Sequence, residues 1–238
     1  MGERSCKNRR TGRIKGGVIM LIGYEDCKNR LEIRLCDPEI KPERIKNLPV
    51  IYVGDWAGYF AVNIGSDDEG MYSFNVNNCI MNYWGITVNQ LYRDALAAMN
   101  KETLLLFDIT DIRSFLEKST AMTSNLYSKC LSIDPQVMRL FAITNRKHIY
   151  GAGCIANHNV RKTIGDSLGY NYFVIPSSIH ELMIIPDCSY YDIVEELKFM
   201  VHEVNYDSGV VSSEDILSDK VMWCSKDGYI VVNADNKP

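Results

Sequence analysis

Within Pro176-Ser177-Ser178-Ile179-His180-Glu181 two hydroxyls, an imidazole and a carboxylate stand side by side between apolar runs. These are the groups of nucleophilic hydrolysis, in which a serine Oγ is activated by an imidazole that a carboxylate orients, with donors nearby for an oxyanion. Ser177 or Ser178 would attack and His180 would take the proton. Glu181, or a distant carboxylate such as Asp108 or Asp166, would orient the ring. The Gly-x-Ser-x-Gly elbow that presents such a serine on a strand–helix turn is missing. A competing structural reading makes 176–181 a turn between two strands, its serine hydroxyls bonded to backbone groups. The missing elbow favours that second reading.

Two other constellations carry less chemistry. His148, His158, His180 and His202, with Glu181 or Glu203, offer imidazole and carboxylate ligands, but no two histidines share the four-residue spacing of a helical zinc motif. No metal site and no cofactor are expected. Gly151-Ala152-Gly153 lacks the third glycine and the strand–helix context of a dinucleotide loop. Cys154 beside it reads as a buried thiol rather than a nucleophile. The chain has eight cysteines and no Cys-x-x-Cys spacing, so they read as reduced core thiols and the expected compartment is cytoplasmic.

The elements that position these groups follow from hydrophobic period and punctuation. Residues 18–22 read as a buried strand, too short for a secretory signal or a membrane span. Prolines at 38, 42 and 49 limit residues 18–53 to strands and loops. Tyr59 to Ile64 and Met71 to Val76 form a hairpin about the polar stretch 65–70. Thr87 with Gln90 opens a helix to about Asn100, whose Leu91, Ala95, Leu96 and Met99 share a face. A strand over Leu104 to Phe107, a short helix over Asp111 to Lys118, and a hairpin of Val137 to Ile143 with His148 to Ile155 come next. In that hairpin Gly151 and Gly153 permit close packing or a bulge.

Val160 to Leu168 is a helix ended by Gly169, and Tyr172 to Ile175 and Leu182 to Ile185 are central neighbouring strands. Ser189 with Asp192 caps a helix over 190–205 with an apolar stripe at Ile193, Leu197, Met200, Val201 and Val204. Val221 to Cys224 and Tyr229 to Val232 close the chain as a hairpin. Two strand–strand–helix units, one after Phe60 and one after Phe141, suggest a faint repeat. Trp56, Tyr59, Tyr83, Trp84 and Tyr92 are either core or an interface.

Charge narrows the partners. The net charge is −4, but the first 17 residues carry six basic side chains against Glu3, giving +5 there and −9 elsewhere. Nucleic acid is disfavoured except through this basic tail, 1–17, which reads as disordered. Residues 18–235 read as one α+β domain, an antiparallel or mixed sheet built from hairpins and covered by three main helices in one layer.

Asn78 to Met99, Ala142-Ile143-Thr144-Asn145, Tyr150-Gly151-Ala152-Gly153-Cys154 and Ile175 to Glu181 resemble the domain-of-unknown-function family numbered 5688, found in anaerobic gut bacteria. Glu203-Val204-Asn205 and Glu214 to Asp219 extend the resemblance to about 70–235. The first 50 residues match poorly, as in a shortened or divergent member. The resemblance implies a bacterial, cytoplasmic α+β protein and no particular reaction. Because catalytic motifs are missing and the informative residues read as turns, caps and core, a non-enzymatic binding or regulatory module is the primary reading, its partner unknown and a protein the candidate. The alternative is a hydrolase using His180 with a nearby carboxylate, with or without a metal.

Overall fold

The computed structural model describes residues 22–67, 70–109, 138–188, 193–207, 209, 211–231 and 234. The basic tail, the strand residues 18–21, the helix expected over 111–118 and the Ser189–Asp192 cap lie outside the described residues.

Two antiparallel sheets, rather than one, carry the fold. The first joins β1 (Leu31–Cys36), β2 (Val50–Val53), β3 (Trp56–Asp67) and β4 (Gly70–Asn75). The long β3 is its centre: β1 lies along one side, and β2 and β4 share the other. The β3–β4 hairpin is the expected one, although strand pairing continues to Asp67 and Gly70, so that most of the stretch expected to turn is extended.

The second sheet has the order β10-β9-β7-β8-β6-β5, from β5 (Leu104–Asp108), β6 (Phe141–Asn145), β7 (Tyr172–Ile175), β8 (Leu182–Pro186), β9 (Met222–Cys224) and β10 (Ile230–Val231). The Tyr172 and Leu182 runs are neighbours at its centre, as their unbroken apolar character predicts.

Of the helices α1 (Tyr24–Cys27), α2 (Asn78–Trp84), α3 (Val88–Met99), α4 (His158–Leu168) and α5 (Val194–His202), the last three follow the sequence signals, whereas α1 lies in a stretch expected to hold only strands and loops and α2 comes in addition to the three helices expected. Thr87 Oγ1 accepts the Gln90 amide at 3.2 Å, and α3 buries Leu91, Ala95 and Ala98. Gly169 ends α4 with φ +79°, a left-handed conformation that a residue without Cβ adopts at little cost. No helix among the described residues is long and apolar enough to cross a membrane.

Alternation sets the layers. Leu31, Ile33 and Leu35 of β1 meet Phe60, Leu91, Phe141, Tyr172 and Val174 in a core shared by both sheets. Phe173 and Ile175, on the opposite face of β7, pack with Val194, Leu197 and Val201 of α5. Helices therefore cover both faces of the six-stranded sheet: α4 contributes Ile164 and Leu168 to the shared core, and α5 lies on the far side. The single helical layer is corrected accordingly. Ile193, Leu197 and Val201 pack inward as the stripe predicts, joined by Val194, while Met200 is exposed.

The hairpin partner expected over His148 to Ile155 is instead a 3-10 helix, Gly151–Ala156. Its alternating apolar residues suggested a strand, but all six are buried, because a compact turn of backbone fits between the sheets. A Cβ on Gly153 would collide with the Ile33 carbonyl, and one on Gly151 with Thr144 Oγ1 and the Asn145 amide. Close packing is thus the role of both glycines, and the second strand–strand–helix unit of the suggested repeat does not form.

Candidate functional site

The 176–181 turn joins β7 to β8 and uses its polar groups on itself. Ser178 Oγ accepts the amides of His180 at 3.0 Å and Glu181 at 3.3 Å, and the Ser178 amide returns a bond to the Glu181 carbonyl at 3.1 Å. The Ser177 amide donates to Ile175 O at 3.0 Å. Thr144 on β6 fixes the turn from below, donating its hydroxyl to the His180 carbonyl at 2.8 Å. This is the geometry of a serine-capped turn.

His180 is held at both nitrogens. The Tyr150 amide donates to Nδ1 at 3.2 Å, and Nε2 faces Asp215 Oδ1 at 3.3 Å. Because Nδ1 is an acceptor, the proton of the neutral ring sits on Nε2 and points at the carboxylate. No nitrogen is left to take a proton from a serine, and Ser178 Oγ already caps two amides. Asp108 pairs with Arg139 at 2.7 Å and Asp166 with Lys162 at 2.8 Å, so neither orients His180. Asp215, which does, stands 35 residues along the chain in a segment without periodic pattern. Among the described residues no three His, Cys, Asp or Glu side chains gather as a metal would require. His158 meets the Tyr229 ring and His202 the Tyr206 ring, on separate elements.

Tyr150 connects this turn to a second place. Its ring lies 5.6 Å from that of His180, and the Arg34 guanidinium carbon stands 3.7 Å from the ring centroid, a cation–π contact. Arg34 is buried, with Nη2 donating to Ser73 Oγ at 2.8 Å and Glu32 Oε2 at 3.1 Å, while its Nε has no partner. Tyr150 and His148 both take positive φ, 54° and 52°. Left-handed backbone at non-glycine residues is costly and gathers at ligand sites.

Beside these residues a cavity of about 220 Å³ opens between the sheets. Ile33, Met99, Leu104, Ile149 and Val160 give it apolar walls, and Glu32, Asn100, Glu102 and Asn157 add polar groups. Asn157 is nearly buried, donates to Asn100 Oδ1 at 2.7 Å and caps α4 by accepting the Asn159 amide. Lys147 Nζ stands 2.9 Å from Glu102 Oε1 and 4.0 Å from Glu32 Oε1. Burial pulls the Lys147 ammonium down, but its bond to Glu102 and the charges of Glu102 and Glu32 outweigh this and leave its pKa raised. Cys154, also on the lining, is pushed up to about 12 by burial and stays a thiol.

The cavity was not visible in the motifs. Its one local trace is Glu32 and Arg34 interleaved with Leu31, Ile33 and Leu35, which places two charges on the second face of a buried strand. Of the aromatic segment, Trp56 and Tyr59 are core, Trp84 donates to Ile22 O at 3.0 Å, Tyr92 donates to Ala156 O at 3.0 Å, and Tyr83 is exposed.

No curated protein and no solved structure matches the chain. The profile of a family of unknown function (DUF5688) matches residues 7–225, which takes in β1 and β2 and so corrects the expectation that the first 50 residues fall outside. With that span matched, the chain belongs to the family of unknown function DUF5688.

Proposed function

We propose that the protein is a binding module that takes a small organic molecule into the cavity between the sheets, and not a hydrolase working through His180. The observation that carries this reading is the cavity, walled by residues from β1, the end of α3, the 145–151 loop and α4. Concave sites of mixed apolar and polar lining, placed between layers, are where ligands bind. The hydrolase alternative is disfavoured because the Tyr150 amide occupies His180 Nδ1. A protein partner is the second reading, favoured by exposed Phe199 and Tyr206 on and just beyond α5. A bacterial cytoplasm is supported by the buried thiols of Cys27, Cys36, Cys154 and Cys224, which pack as small core side chains.

The test is a fragment screen by thermal shift on the wild type and on Val160→Phe, which fills the cavity. Fragments that stabilise the wild type and not the variant are expected. Turnover of ester, phosphoester or peptide substrates that His180→Ala abolishes would reverse the reading.

A further inference from the structure

Resting on the binding reading above, we infer that the cavity takes a primary alkylamine, its ammonium occupying the position that Lys147 now fills between Glu102 and Glu32. Both carboxylates line the cavity and come from different elements, Glu102 from the loop after α3 and Glu32 from β1. They converge on one ammonium, 2.9 Å and 4.0 Å away. Glu32 is set in place from behind: Asn63 Nδ2 donates to its Oε1 at 2.9 Å and Arg34 Nη2 to its Oε2 at 3.1 Å. Its side chain is 14% exposed, so the charge is screened weakly.

Lys147 does not line the cavity itself; its head alone reaches the two carboxylates, and its side chain is half exposed. The cavity that both carboxylates line also has apolar walls, from Ile33, Met99, Leu104, Ile149 and Val160. A lysine head is an alkylammonium, so the protein already displays the recognition chemistry without the hydrocarbon that would fill the space behind it. A free amine with a chain of a few carbons supplies both parts: its methylenes leave water for the cavity, and its ammonium makes charge-assisted bonds to Glu102 and Glu32. Lys147 then swings into solvent and gives up its bond to Glu102, which costs the free amine about tenfold in affinity. The other cation on the lining, Lys101, does not compete, because its Nζ donates to Asn29 Oδ1 at 2.9 Å.

The experiment titrates the full chain with n-hexylamine, 1-hexanol and hexanoate, three probes of equal chain length, and follows backbone NMR signals of residues 99–104 and 145–151. Hexylamine is expected to bind about tenfold or more tightly than hexanol, as charge-assisted bonds imply, with hexanoate weakest. Lys147→Met, which empties the ammonium position, is expected to tighten hexylamine by about tenfold on the same reasoning. Glu102→Gln is expected to erase the preference over hexanol. Hexanol or hexanoate binding as tightly as the amine, or Lys147→Met leaving amine affinity unchanged, overturns the inference and leaves the binding reading standing. Failure of all three probes to perturb these signals, in the wild type and in Lys147→Met alike, overturns both.

Discussion

At the C-terminal end of β1 the segment 211–221 is bolted to the first sheet by polar groups that satisfy one another, whereas near the start of the same strand the sheets stand apart around a cavity. In the first region Asp37, wholly buried, accepts the Ser218 hydroxyl at 2.6 Å and the Glu39 amide at 2.9 Å, and its own amide donates to Leu217 O at 3.0 Å. Lys41 Nζ donates to the carbonyls of Ser213, Glu214 and Ile216, and Arg44 donates to that of Glu214 as well. In the second region Asn145 bonds both polar groups of Ile149, Asn157 bonds Asn100, and the left-handed residues His148 and Tyr150 shape the wall. The lesson concerns where polar groups point. Where polar groups satisfy one another densely across the layers, as Asp37, Lys41 and Arg44 do with 213–218, the layers close, and where a loop bonds mainly to itself, as Asn145 does with Ile149, space is left open.

Asp37→Ala should break the closed region most severely. It strands the Ser218 hydroxyl in the core and removes the charge facing Lys220 at 3.6 Å, for a loss of about 3 kcal/mol by denaturant unfolding. Asp37→Asn keeps an acceptor and should cost visibly less. Equal losses would mean that the carboxylate charge, which both variants remove, and neither the cavity nor the remaining acceptor, accounts for the damage.

Gly153→Ala comes next and probes the wall that separates the two regions. The new Cβ meets the Ile33 carbonyl, which is backbone and cannot swing aside. The 3-10 helix must therefore shift off β1, at a cost of about 2 kcal/mol. A neutral result in thermal unfolding would show that the helix slides freely over the strand.

Much of this arrangement was legible in the sequence, and the rest was not, for identifiable reasons. Thr87, Gly169 and the Tyr172 and Leu182 runs stated their roles locally, through a cap, a left-handed residue and two unbroken apolar stretches. The 151–156 segment misled, because alternating small and apolar residues suit both a strand and a compact turn between sheets, and only the backbone of Ile33 decides. His180 stands out in the sequence as a polar residue between apolar runs, but its contacts do not. Its partners are a backbone amide 30 residues earlier and a carboxylate 35 residues later, and an amide carries no sequence signature. Glu102 and Lys147 were missed for the same reason, since the pair exists only once β5 and β6 bring Thr103 and Arg146 together, with the Arg146 amide on Thr103 O at 3.1 Å.

A graded effect separates the regions by pH. Burial pushes the Cys36 thiol up to about 11 and that of Cys154 up to about 12. In the unfolded chain both ionise near the ordinary thiol value, so the folded state holds more protons above it. Stability contributed by these groups is complete below about pH 9 and is lost as pH rises towards 11 and 12, by about 1.4 kcal/mol per pH unit for each group in that window. Cys36→Ala should flatten the lower part of the alkaline limb and Cys154→Ala the whole of it. An unchanged slope in both would place the loss elsewhere.

The smallest change tests the comparison most directly, because one methyl or methylene is added on each side of it. Val160 lines the open region, so Val160→Leu should occupy empty volume and stabilise the protein by about 0.5 to 1 kcal/mol. Ser218→Thr inserts a methyl group beside a wholly buried hydroxyl in the closed region, where it can only displace neighbours and should destabilise by about 1 kcal/mol or more. Opposite signs, read as shifts in unfolding midpoint at constant m-value, confirm that one place has room and the other has none. Two losses of equal size would mean that the cavity relaxes shut around its own side chains, and the volume a ligand needs would be absent from the protein in solution.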